Sequence, residues 1–189
     1  MSFKPTELYG GAIAVDLPAG FGDASNIRQI PDHQEVYLDG NGYSSIVFDI
    51  LERIEKQSDE EALQYHFADL IDGTGDSTDM LNQGKTVMSK MPTLPVYMLN
   101  YIQTPPPRDP SHPTSKRKTP NFTSIHLLLL RLKEQTTDIV ITVNVPHYPD
   151  DYVKAGVGEA TQLMKDGEVV KQKILDSFEI KDWGLFGGN

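Results

Sequence analysis

Two stretches of this 189-residue chain carry a helical period, while about seven read as extended. That imbalance limits the fold more than any motif does. A parallel sheet needs a crossover, usually a helix, between nearly every pair of neighbouring strands. Two long helices cannot serve about seven strands. The expectation is therefore a mainly antiparallel sheet whose apolar surface is covered by helices, in the α+β class. The length suits one domain, or a domain with one long insertion.

The clearest strand is Asp138–Val145, in which Ile139, Ile141, Val143 and Val145 alternate with Val140, Thr142 and Asn144. Phe122–Leu132 is long and apolar and is expected to lie centrally. Ile13, Val15 and Leu17 form a half-buried strand closed by Pro18 and Gly20. Glu35–Leu38 leads through Asp39-Gly40-Asn41-Gly42, a strong turn signal, into Ser44–Ile54, where β-branched residues favour strand over helix. Thr86–Met91 and Val96–Gln103 also look extended. Asp23–Ile30 suits one short helical turn capped by Asp23 or Ser25 and stopped by Pro31.

The first helix starts at Ser58-Asp59-Glu60-Glu61, a capping box in which Glu61 is expected to reach back to the cap. Leu63, Phe67, Leu70 and Ile71 then form one apolar stripe. Asp59, Glu60 and Glu61 read as favourable charges at a helix N-terminus. The second helix runs through Ala160, Leu163, Met164, Val170, Ile174 and Phe178. Gly167 interrupts it at a cost of ~1 kcal/mol relative to Ala.

Composition removes several function classes. Seventeen Lys and Arg against 27 Asp and Glu give a formal charge of −10, the wrong sign for a nucleic-acid binder. The absence of Cys excludes disulfides, thiolate catalysis and zinc–thiolate sites. The longest aliphatic run, Leu127–Leu130, is far short of the ~20 apolar residues of a membrane helix, and the first residues lack a signal-peptide core. A soluble intracellular protein without metal or cofactor is expected. No P-loop, GxSxG or HExxH pattern occurs. Gly40-Asn41-Gly42 and Gly156-Val157-Gly158 lack the third glycine of a dinucleotide fingerprint and read as turns. The five His residues show no ligand spacing, and His126 reads as a satisfied core or edge histidine.

One segment stands outside the core. Thr104–Pro120 carries six prolines and four cations and is expected to form an exposed loop. Its Lys116-Arg117-Lys118 run suits a nuclear-localisation patch or a site for an acidic partner, but for so short a run a solvated loop is the simpler reading.

The remaining candidates lie in Gly20–Leu38. Asp23, Asp32 and Glu35 surround a short structured loop, beside the exposed-looking Gln34 and Tyr37. In a helical turn Asp32 and Glu35 share a face, whereas in a regular strand they oppose one another. From chemistry alone the simpler reading is that both are ordinary solvated carboxylates, or that Asp32 pairs with Arg28.

The blocks Leu8-Tyr9-Gly10-Gly11-Ala12, Leu17-Pro18-Ala19-Gly20-Phe21, Asp23-Ala24-Ser25 and Pro31-Asp32-His33-Gln34-Glu35-Val36-Tyr37 closely resemble the Ran guanine nucleotide release factor family, the MOG nuclear-transport proteins. Tyr65-His66-Phe67-Ala68-Asp69-Leu70, Leu130-Arg131-Leu132, Thr137–Asn144 and Leu185-Phe186-Gly187 extend the resemblance along the chain. It implies a single domain over 1–189 with a twisted antiparallel sheet of about six or seven strands and helices on both faces, an architecture shared with the photosystem II extrinsic protein P. It also implies a non-catalytic protein that binds the small GTPase Ran, GTP-bound or nucleotide-free, promotes nucleotide release and supports nuclear import. A monomer found in nucleus and cytoplasm, mainly the nucleus, is expected. Asp32 and Glu35 stand at the family's Ran-binding positions, with Gln34, Tyr37 and Asp23 as neighbours. The rival expectation is an adaptor or trafficking chaperone that holds another client on an apolar sheet surface or on the 104–120 loop.

Overall fold

The computed structural model describes residues 1–107 and 118–187. Most of the proline-rich segment, including Lys116 and Arg117, lies outside the described residues. The chain runs through β1 (Phe3–Leu8), β2 (Ile13–Pro18), β3 (Phe21–Asp23), β4 (Gln34–Asp39), β5 (Ser45–Glu52), α1 (Asp59–Ile71), β6 (Ser77–Met88) and β7 (Met91–Thr104). It continues through β8 (Phe122–Leu132), β9 (Thr137–His147), α2 (Gln162–Ser177) and β10 (Glu179–Ile180). A seven-stranded sheet has the order β3-β4-β5-β9-β8-β7-β6, and a three-stranded sheet has the order β1-β2-β10. Every pairing is antiparallel. The α+β expectation holds, with a second small sheet added to the expected one.

The central strands β8 and β9 read as continuous apolar runs because both of their faces are covered. Ile125, Leu127, Leu129 and Val140 pack with Ala62 and Leu63 of α1 and with Tyr97, Leu99 and Tyr101 of β7. The alternate residues Leu128, Leu130, Ile139, Ile141 and Val143 pack against Leu8, Ile13, Val15 and Leu17 and against Val170 and Ile174 of α2. The sheet surface that an adaptor would offer to a client is thus occupied by α1 on one side and by α2 with the small sheet on the other. In the α1 stripe Leu63 is buried and Phe67 and Ile71 pack against the same cluster, but Leu70 stays exposed.

Ser58 caps α1 as expected, accepting from the Glu61 N–H at 3.1 Å. Glu61 instead accepts the N–H of Gln57 at 3.2 Å, one residue upstream of the expected partner. Thr86–Met91 is not a separate strand. Met88 faces Met91, so the segment is the corner of the β6–β7 hairpin. The first half of β6 is exposed, Met80 and Leu81 included, and its pairing with β7 makes it extended. Its bulge between Met80 and Asn82 twists the free edge, which discourages pairing with another chain.

Gly167 is buried inside α2, where the helix approaches the sheet. A Cβ there would lie 2.8 Å from Val145 Cγ2 and 3.2 Å from His126 Nε2. In an open helix Gly→Ala stabilises by about 1 kcal/mol, but overpacking costs about 1–3 kcal/mol. Gly167→Ala is expected to lose about 1 kcal/mol net, seen as a lower urea midpoint at an unchanged m-value. A raised midpoint would show that the close approach does not constrain this position.

Candidate acidic site

The β1–β2 hairpin turns through Tyr9, Gly10 and Gly11, all at positive φ of 51°, 67° and 93°. Glycine adopts this region freely, whereas for tyrosine it costs about 1–2 kcal/mol. The turn brings Tyr9 against the start of β4. The Tyr9 N–H donates to Glu35 Oε1. Its phenol shares one proton between the Phe48 carbonyl at 2.9 Å and the His33 carbonyl at 3.1 Å.

Pro31-Asp32-His33-Gln34 is a β-turn closed by the Gln34 N–H donating to the Pro31 carbonyl at 2.9 Å. Asp32 occupies its corner and is exposed, while Glu35 is the second residue of β4. The helix-or-strand question is settled by neither regime: a turn meets a strand. Both carboxylates line one open cleft of about 240 Å³ together with Tyr9, Asp23 and Gln34. The structure thus brings together four of the five residues expected from sequence. No ion pair joins Asp32 to Arg28 among the described residues.

Tyr37 departs from expectation. It is buried at 6% exposure, its ring is edge-on to Phe48, and its O–H donates to Glu35 Oε2 at 3.2 Å. Gln34 is half-buried and donates to Asp49 Oδ1 at 2.7 Å. Asp23 caps the single helical turn Ala24–Asn26 by accepting the Ser25 N–H at 2.8 Å. Burial pushes the Glu35 carboxyl above its ordinary range, opposed by the Tyr9 and Tyr37 bonds. Burial beside Glu35 raises the Tyr9 and Tyr37 phenols, which stay protonated donors.

His66 and His126 lie outside the cleft. His66 Nε2 meets Asp138 Oδ2 at 2.9 Å within a buried network completed by Arg131 and Asp59. His126 is only half satisfied: Nδ1 meets Asn100 Oδ1 at 2.8 Å, while Nε2 is buried without a partner among the described residues. Sequence reasoning missed Tyr9 as a site residue. Its signal was a bulky side chain directly before Gly10-Gly11, in a turn that needs positive φ.

The family described as "Ran-interacting Mog1 protein" matches residues 6–146, a span that contains the whole cleft. A "Probable ran guanine nucleotide release factor" of Dictyostelium discoideum is 30% identical, covering 100% of this chain and 98% of that protein. The "Nuclear import protein MOG1" of Saccharomyces cerevisiae is also 30% identical, over 98% of this chain and 86% of its own length. The solved structure of the Saccharomyces cerevisiae Ran-binding protein Mog1p superimposes with a TM-score of 0.74 at 28% identity, covering 98% of this chain and 99% of that one. A Mog1 point mutant gives 0.76 at 27% identity, covering 98% of this chain and 100% of that one. With the shared fold, the matched span and the acidic turn in hand, this chain belongs to the Mog1 family.

Proposed function

We propose that the chain is a single Ran-binding domain that promotes release of guanine nucleotide from Ran and supports nuclear protein import. The observation that carries this reading is the open acidic cleft formed by Asp32, Glu35 and Asp23 within the family-matched span. The mechanism is non-covalent. Release requires only that the cleft bind the nucleotide-poor state of Ran more tightly than the nucleotide-bound state, and a tenfold effect takes ~1.4 kcal/mol of differential binding. An exposed carboxylate of the cleft supplies this by pairing with Lys or Arg groups that otherwise hold phosphates or switch loops. The partner is Ran in its GTP-bound or nucleotide-free state, the protein acts as a monomer without catalysis, and it works mainly in the nucleus.

The test is release of a fluorescent GTP analogue from Ran. Wild type is expected to accelerate release, and Asp32→Lys to weaken binding by at least about tenfold at an unchanged thermal midpoint, since an exposed turn residue contributes little to folding. No acceleration and no binding by the wild type would sink the reading.

A further inference from the structure

We propose that the two family carboxylates divide their work: Asp32 presents its charge to the partner, while Glu35 and Tyr9 are positioning residues that fix the turn carrying Asp32. The inference rests on the Ran-binding reading above and deepens it.

Both Glu35 oxygens are already engaged inside the protein, Oε1 by the Tyr9 N–H and Oε2 by the buried Tyr37 hydroxyl at 3.2 Å. A carboxylate held by two donors and half withdrawn from water is a poor free charge for an incoming cation. Asp32 is exposed at the corner of its turn and carries no described pairing.

Tyr9 connects the two. Its backbone N–H reads Glu35 on β4, and its phenol reaches the carbonyl of His33, the residue directly after Asp32, and Phe48 on β5. The Ile50 N–H also donates to the His33 carbonyl at 2.9 Å, so the turn is tied to β5 from two sides. The positive φ of 51° at Tyr9 is held by these bonds. Removing the Glu35 acceptor leaves a strained tyrosine with an orphaned N–H, and the turn loses one of its two tethers. In this arrangement Glu35 needs the Oε1 acceptor in place and does not need its charge.

The experiment separates charge from geometry by measuring Ran association and dissociation rates across a salt series. Asp32→Asn is expected to weaken binding about tenfold and to flatten the salt dependence of association. Glu35→Gln keeps an acceptor for the Tyr9 N–H and is expected to stay within about twofold of wild type, with the salt dependence intact. Glu35→Ala and Tyr9→Phe are expected to weaken binding about fivefold through faster dissociation, again with the salt dependence intact. If Glu35→Gln weakens binding as much as Asp32→Asn and flattens the salt dependence, Glu35 is a direct charge contact and the inference is overturned.

Amide exchange at Tyr9 in the free protein reads the clamp without Ran. Faster exchange in Glu35→Ala, with protection retained in Glu35→Gln, supports it, and equal exchange in all three proteins overturns it. Absence of Ran binding by the wild type overturns the functional reading and the partner half of this inference, and the exchange result still judges the clamp.

Discussion

Replacing Arg131 with Met is expected to lower stability by about 3–5 kcal/mol, a fall of roughly 10 °C in a thermal melt. Arg131 lies on β8 at 8% exposure, and its guanidinium is the hub of the α1 face. Nε donates to Asp138 Oδ1 at 2.9 Å, one terminal nitrogen to Asp59 Oδ1 at 2.8 Å, and the other to the Ile54 carbonyl. Methionine retains much of the apolar stem, so the loss reports pairing rather than a cavity.

Asp138 is wholly buried, and its carboxyl is held below the usual range against the cost of burial by bonds from His66 and Arg131. Without Arg131 it becomes a buried anion that has lost its main counter-charge. Adding Asp138→Asn removes that anion, so the double variant is expected to cost less than the sum of the singles by at least about 1 kcal/mol. Chemical denaturation of the four proteins checks both statements. A loss under about 1 kcal/mol for Arg131→Met would place the network among weak surface pairs.

Acidification from pH 7 to 4 is expected to cost the wild type about 3 kcal/mol more than His126→Asn, the second large effect. Burial of His126 in β8, with Lys171 nearby, lowers its pKa from 6.5 to about 4. The unfolded chain therefore takes up this proton first. Stability contributed by the neutral imidazole is complete above pH 6.5 and is lost as pH falls towards about 4. Asparagine keeps a donor for Asn100 and cannot titrate. His147, whose pKa burial also lowers, is common to both proteins and cancels in the difference. Glu35 and Asp49, raised by burial, work in the opposite direction and cancel likewise. Parallel pH profiles for the two proteins would refute the assignment to His126.

These features differ in how far the sequence revealed them, for physical reasons. β8 and β9 were legible because burial on both faces demands unbroken apolar runs. The first half of β6 was not, because an exposed edge strand takes its conformation from its neighbour rather than from its own residues. Asp32 and Glu35 were legible as a spaced pair in a recognisable motif. Their unequal environments were not, since the Glu35 clamp depends on a residue 26 positions away in an unusual backbone conformation. Asp59 read as a helix-end charge for the same reason: its bond to Arg131 spans 72 positions, and no local pattern announces it.

The small sheet has a consequence for the order in which the molecule is completed. β10 pairs Glu179 with Ala14 and Ile180 with Ile13, and the N–H groups of Lys181 and Asp182 donate to the Ala12 carbonyl at 2.8 and 3.1 Å. Ala12 directly follows the Tyr9–Gly11 turn that orders the acidic cleft. Residues near one end of the chain are therefore locked by residues near the other, the most expensive kind of loop closure in a search for the native state. On a ribosome the β1–β2 hairpin would wait until residues 179–182 had emerged before gaining these partners. A chain halted before Glu179 would leave one edge of β2 open and Ala12, next to the Tyr9–Gly11 turn, without these two donors.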